Sequence, residues 1–294
     1  MRKTKIYFLV LFIIITASFT VSAEKYGGDL KVKVNKRALN LNPIYSFNST
    51  EQTINKQIFD KLLAFNSKGE IVNNLSQSWE INEDSTVFSF ILKKDIYFHP
   101  YKIDGKEIAV DQRKVTAEDW KWSFEYLADP ENRSPHADIF KKVLGYDDYR
   151  QQKKKEIVGI RVIDDYQFEI ELKNSYSPFI YNLMKEAAVV MPKQAVLNSG
   201  QNFALAPIGT GAFKLKDFLS DKIVLIENKN YWQNNYQKER LPYLKKVEFY
   251  FKQANNLNNN YQSFDLYQLE EDQLTDYHYQ KNIKNNYSLK KMAT

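Results

Sequence analysis

Residues 207–215 read Pro-Ile-Gly-Thr-Gly-Ala-Phe-Lys-Leu, and this run leaves the chain few options. Pro207 stiffens the entry, Gly209 and Gly211 bracket Thr210, and Phe213 and Leu215 alternate beyond them. That pattern predicts a tight turn feeding a strand. A second β-rich run (Lys222 to Asn228), an aromatic pair (Tyr231-Trp232) and a strand led in by Leu241-Pro242-Tyr243 follow in order. The two glycines do not make a phosphate loop. That motif needs Gly-x-x-x-x-Gly-Lys-Ser/Thr opening a helix, and a dinucleotide fingerprint needs a third glycine where Lys214 stands.

Upstream, three segments carry most of the remaining pattern: Leu75 to Glu80, Phe88 to His99 and Val115 to Phe124. In the first, Trp79 is expected in the core. In the second, Phe88, Phe90 and Leu92 alternate with Ser89 and Ile91, a strand with a buried face. In the third, Thr116 and Asp119 are spaced for a capping box, with Val115 and Trp120 placed as a hydrophobic staple. Trp120, Phe124 and Leu127 then share one helix face, and Asp129-Pro130 ends it. Elsewhere Leu30 to Val34 alternates as a first strand, and Leu41-Asn42-Pro43 turns the chain. A helix is expected from about Glu51 to Ala64, with Ile54, Ile58, Phe59, Leu62 and Leu63 as its apolar stripe. Gln167 to Leu172 alternates cleanly as a strand, Pro178 to Met184 suits a short helix, and 173–177 and 198–202 read as loops. Strands and helices without strict βαβ alternation indicate a mixed α/β (α+β) fold.

Composition removes several chemistries. The chain has no cysteine, so it has no disulfide, thiol nucleophile or thiolate metal site. Its histidines, His99, His136 and His278, show no metal-ligand spacing and are read as surface or internally satisfied. The acidic pairs Asp147-Asp148, Asp164-Asp165 and Glu270-Glu271 are read as solvated, and no nucleophile, base or metal set is recognisable. Arg2, Lys3 and Lys5, the apolar run Ile6 to Ile15 and the small residues of Val21-Ser22-Ala23 compose a secretory signal, with cleavage expected between Ala23 and Glu24. Half of the formal charge of +6 sits in that leader. What remains is a mildly basic surface without a nucleic-acid-binding block.

Taken together, the order of these motifs resembles the family 5 extracellular solute-binding proteins, the oligopeptide-binding subunits of ABC importers and their relatives. The likeness runs from about Gly28 to about Leu269. It matches the Pro-x-Gly-Thr-Gly turn (Pro207, Gly209, Thr210, Gly211), the Tyr-Trp pair, the Leu-x-x-Ser-Trp strand, the Phe-His strand end and the Thr-Ala-x-Asp helix start. Ala212, Asp95 and Lys229 stand where the family pattern has Pro, Gly and Pro, and extra residues separate His99 from Val115. The resemblance implies a periplasmic-binding-protein type II-like first lobe from residues 24–60 and 187–262, interrupted by a small domain over 61–186. Residues 263–294 would begin a second lobe that is largely absent, since family members continue much further. Tyr45, Phe47 and Asn48 would line the solute cleft. The implied protein is no enzyme and needs no cofactor. It would capture peptides or similar small solutes as a monomer and pass them to an inner-membrane ABC permease. With no cysteine for lipidation, it would be free in the periplasm. Two other readings differ in class: a truncated paralogue that binds nothing, and an exported hydrolase.

Overall fold

The structure is a computed structural model that describes residues 27–233, 240–251 and 264–267. The cleavage point at Ala23-Glu24, His278, Glu270-Glu271 and most of 263–294 lie outside the described residues. Two sheets organise the rest. The first has five strands in the order β10-β11-β12-β1-β13. These are β1 (Asp29–Val34), β10 (Phe213–Phe218), β11 (Lys222–Glu227), β12 (Lys246–Phe251) and β13 (Leu266–Tyr267). The sheet is mixed: β1 runs parallel to both β12 and β13, while β11 is antiparallel to β10 and β12. The second is a four-stranded antiparallel sheet, β4-β5-β9-β8. It contains β4 (Ser76–Ile81), β5 (Val87–Leu92), β8 (Ile160–Asp164) and β9 (Gln167–Glu171).

The helices are α1 (Ser49–Ile58), α2 (Ala117–Ala128), α3 (Tyr146–Arg150), α4 (Phe179–Asn182) and α5 (Lys193–Ser199). Two small ribbons complete the elements: β2 (Leu63–Phe65) with β3 (Ile71–Asn73), and β6 (Lys102–Ile103) with β7 (Lys106–Glu107). The second ribbon is made of the extra residues between His99 and Val115. Its turn, Asp104-Gly105, has positive φ at both positions (49° and 78°), the conformation a two-residue hairpin needs. Asp95, where the family pattern has glycine, also takes φ of 60°, a value that Asp tolerates better than most side chains.

Aromatic packing holds the four-stranded sheet to α2. Phe90 and Phe168 face each other across β5 and β9, with ring centroids 5.3 Å apart. Phe124 of α2 lies 5.5 Å from Trp120, 4.6 Å from Phe140 and 6.4 Å from Phe168. Trp120, Phe124, Phe88, Phe90 and Phe168 are all fully buried. Trp79 differs from the expectation: on the edge strand β4 it is only half-buried against this core. Thr116 and Asp119 close the capping box at the start of α2. The Asp119 carboxylate accepts from the Thr116 backbone N–H (2.9 Å) and hydroxyl (3.0 Å). Thr116→Ala is therefore expected to lose about 1 kcal/mol in urea denaturation.

Two boundaries moved. The helix expected to Ala64 ends at Ile58, with Phe59 already extended (φ −120°, ψ 142°) and Leu63 in β2. Leu62 and Leu63 are still buried, so helical spacing alone misread two residues of an extended stretch. The expected loop at 198–202 is instead the end of α5 and a 3-10 turn over Gly200–Ala204.

Candidate functional site

The sequence motifs that stood out most converge on one place, the C-terminal end of α1. Gly211 donates its N–H to the Ile58 carbonyl at 2.8 Å, and Gly209 lies against the same carbonyl. The next residue with a charge, Asp60, is buried. Its carboxylate accepts from the Thr210 hydroxyl (3.1 Å), the Trp232 indole N–H (3.0 Å) and the Tyr231 hydroxyl (3.4 Å). Its own N–H donates to the Thr210 hydroxyl oxygen at 3.3 Å. Burial pushes the Asp60 carboxyl above its ordinary range, against the hydrogen bonds from Trp232 and Thr210 that favour the charged form. The Lys93 ammonium sits 4.5 Å over the Trp232 ring and donates to the Asn74 carbonyl. Burial pushes its pKa down, opposed by the Asp60 charge. A cavity of about 100 Å³ adjoins Asp60, between Asn55, Lys61 and Glu186.

His99 closes the other side. Its ring Nε2 contacts the Gly211 carbonyl at 2.9 Å, and the Gly209 N–H donates to Nδ1 at 3.4 Å. Those partners fit the neutral ring with its proton on Nε2. Burial pushes the His99 pKa down to about 4. Well above pH 6.5 the ring is neutral in both folded and unfolded chains. As the pH falls from 6.5 to 4, the unfolded chain takes up a proton that the folded one refuses, so stability drops. The loss should total about 3 kcal/mol. Urea midpoints across that range should show it, and His99→Gln should flatten that part of the profile relative to the parent. The glycine turn, the Tyr-Trp pair and the Phe-His strand end thus meet in one buried, hydrogen-bonded cluster.

A second arrangement has the exposed character a binding wall needs. After β1 the chain runs through a 3-10 turn (Pro43–Tyr45) into α1. Glu51, itself buried, fixes this loop. One carboxylate oxygen accepts from the N–H groups of Leu39 (3.0 Å) and Asn40 (3.2 Å), the other from Phe47 (3.0 Å) and Asn48 (3.4 Å). Three further hydrogen bonds stitch it to 132–136: Tyr45 hydroxyl to the Asn132 carbonyl (2.7 Å), Ser134 hydroxyl to the Ile44 carbonyl (2.6 Å), and His136 Nε2 to the Ser46 carbonyl (3.0 Å). On this base Phe47 stands 74% exposed, its ring 6.1 Å from that of His136.

Of the three residues expected in the cleft, Phe47 alone keeps an exposed side chain. The Asn48 side chain caps α1 by accepting from the Glu51 N–H at 2.9 Å, and Tyr45 is half-buried with its hydroxyl engaged. Sequence reasoning missed Glu51, Asp60 and His136. A lone Asp inside the run Phe59-Asp60-Lys61-Leu62-Leu63 was the available sign for Asp60, and the Asn48-x-x-Glu51 capping-box spacing was the sign for Glu51; nothing local marked His136. Among the described residues no cluster of three or more His, Asp or Glu could hold a metal, and no helix is long and apolar enough to cross a membrane.

A mixed α/β fold with a five-stranded mixed sheet and a four-stranded antiparallel sheet is shared with part of the periplasmic binding proteins of known structure. The chain belongs to the bacterial extracellular solute-binding proteins, family 5, whose model matches residues 70–292. It is 29% identical over 191 residues to the periplasmic oligopeptide-binding protein OppA of Salmonella typhimurium, covering 63% of this chain and 33% of OppA. It also superposes on the Helicobacter pylori periplasmic binding protein DppA, solved with the peptide STSA, with a TM-score of 0.63 at 26% identity. That match covers 78% of this chain and 43% of DppA. Burkholderia pseudomallei OppA shares the fold, with a TM-score of 0.70 at 21% identity over 86% of this chain and 48% of its own. The chain thus spans about a third of the length of the curated relative and under half of each solved one.

Proposed function

We propose that these residues supply one wall of the solute site in an extracytoplasmic binding subunit of an ABC importer, and that the solute is a peptide or a similar small molecule. The family match over residues 70–292 carries this reading. The relatives add to it: one is named as oligopeptide-binding, another was solved with a bound peptide. The exposed Phe47 beside His136, on a loop locked by Glu51, offers a preorganised apolar surface for a solute side chain. In this reading residues 24–60 and 187–262 form the first lobe, and 61–186 the inserted small domain. The strands of the two sheets divide along those bounds, apart from β13. Closure by hinge bending would bury the solute and present it to an inner-membrane permease. The protein works without covalent chemistry or cofactor, as a periplasmic monomer processed between Ala23 and Glu24.

Peptide titration followed by NMR tests the wall. The described residues offer one side of a cleft, so their hydrogen bonds to solute compete with water and affinity should be of order millimolar. Shifts should centre on Phe47 and His136. Phe47→Ala should weaken binding about fivefold while changing stability by less than about 0.5 kcal/mol. Shifts centred elsewhere, or a peptide-insensitive spectrum at tens of millimolar, would sink the assignment.

A further inference from the structure

The small domain carries a second surface, which the solute-binding reading does not use. After α3 the chain turns through Gln151 and Gln152, the latter at φ 58°, and presents Lys153, Lys154 and Lys155 in succession, all exposed. The turn stands on a fixed base: Tyr146 before it and Ile157 after it are buried, and the N–H groups of Lys153 and Lys154 both donate to the Asp148 carbonyl.

Most of the acids nearby have partners of their own, while Asp148, on the turn itself, is exposed. Glu156 pairs with Lys121, Asp147 with Lys173, and Glu125 accepts from the Ile157 N–H. Glu131 accepts from the Gln152 side chain at 3.2 Å. Among the described residues none of the three lysines has a charge partner. At the foot of the turn lies an open groove of about 450 Å³, lined by Arg133 and Arg150 and, as the one acid, Glu131, with Pro130, Gln151 and Gln152. Arg133 is held at φ 49°, in the left-handed region, and Arg150 is tied to the Ala128 carbonyl at 2.9 Å. Beside the lysines two aliphatic side chains face solvent: Val158, 49% exposed, and Leu144, 38% exposed, on segments joined by the Gly159 N–H to Leu144 carbonyl bond.

We propose that this turn and groove dock on an anionic lipid bilayer, with headgroup phosphates at Arg133 and Arg150, the lysines over the charged plane, and Val158 and Leu144 at the headgroup boundary. Unpaired lysines on a convex turn next to exposed aliphatics match such an interface. A guanidinium pair suits phosphate oxygens, which it can meet with paired N–H donors. The groove has no aromatic anchor of the kind that dominates protein–protein contacts. Each basic residue near an anionic bilayer is worth about fivefold in partitioning.

The chain has no cysteine, so Val158→Cys provides a unique attachment point for an environment-sensitive fluorophore, with Ile163→Cys, equally exposed on β8, as the control. Vesicles of equimolar phosphatidylglycerol and phosphatidylcholine should blue-shift the label at 158 and leave the label at 163 unchanged. The response should fade between 0.05 and about 0.5 M salt. Lys153→Glu/Lys154→Glu/Lys155→Glu should weaken it about a hundredfold or more. Lys68→Glu/Lys193→Glu/Lys216→Glu, the same charge change elsewhere, should leave it within about threefold. The label reads contact at position 158, so the apolar leader cannot mimic the result. No shift, an equal shift with pure phosphatidylcholine, or equal loss in both triple variants would overturn the proposal. A shift produced as well by polyglutamate would overturn it in favour of an acidic macromolecular partner.

Discussion

Gly209→Ala should lose about 4 kcal/mol or more of stability, the largest effect expected among the glycines. A Cβ at that position would lie 2.1 Å from the Ile58 carbonyl oxygen and 2.8 Å from its carbon. The obstacle is backbone at the end of a helix, which cannot rotate away as a side chain can. Overpacking commonly destabilises by about 1–3 kcal/mol, and a clash this close with main chain belongs above that range. The glycine is required by close approach and not by its dihedral angles. Gly211→Ala should behave similarly, since its Cβ would meet the Gln57 carbonyl oxygen at 2.4 Å. Gly69→Ala is the comparison. It has φ of +79° but nothing within 4 Å, so only dihedral strain of about 1 kcal/mol applies. Denaturant midpoints for the three variants should rank in that order. Equal midpoints for Gly209→Ala and Gly69→Ala would show that the turn does not pack on α1 as described.

Trp120→Ala should destabilise by about 3 kcal/mol or more through the cavity it leaves. The indole is fully buried and shares its neighbourhood with Phe124, which in turn touches Phe140 and Phe168. Those rings belong to different elements, so they cannot all shift inward to fill the gap. Guanidinium denaturation followed by far-ultraviolet dichroism reads the loss without relying on tryptophan fluorescence. Peptide titration should stay unaffected in the folded variant, because Trp120 lies away from the Phe47 wall. An unchanged midpoint would mean that α2 is not held by this face.

What could be read from the chain beforehand was local. Alternation gave the central strands β5 and β9, because each has one face in the core and one toward water. Thr116 and Asp119 announced the start of α2, because a capping box uses a fixed spacing. The turn at Gly209 to Gly211 was legible as a turn, but its tertiary contact was not. That contact depends on Asp60 and on Tyr231 and Trp232, which are 171 and 172 residues further along. The same distance explains the overlong first helix. Leu62 and Leu63 keep helical spacing, yet the chain extends at Phe59, where Asp60 meets its partners on the glycine turn. Phe47 was named from resemblance, but the device that presents it was hidden. Glu51 gathers N–H groups from Leu39, Asn40, Phe47 and Asn48; the capping-box spacing links it to Asn48, but no spacing rule reaches Leu39 and Asn40.

The position of β1 sets a timetable for the polypeptide. Its two neighbours in the sheet are β12 and β13, so a strand made near the beginning has to wait for partners made more than 200 residues later. Long-range parallel pairing of this kind is slow, because the loop must close before any contact rewards it. The four-stranded sheet spans a continuous stretch and can assemble as soon as β9 exists. A chain emerging from its N-terminus would therefore complete the four-stranded sheet first. The five-stranded sheet would stay open until β12 and β13 emerged, with the unpaired edges of β1 the segment most in need of protection during that interval.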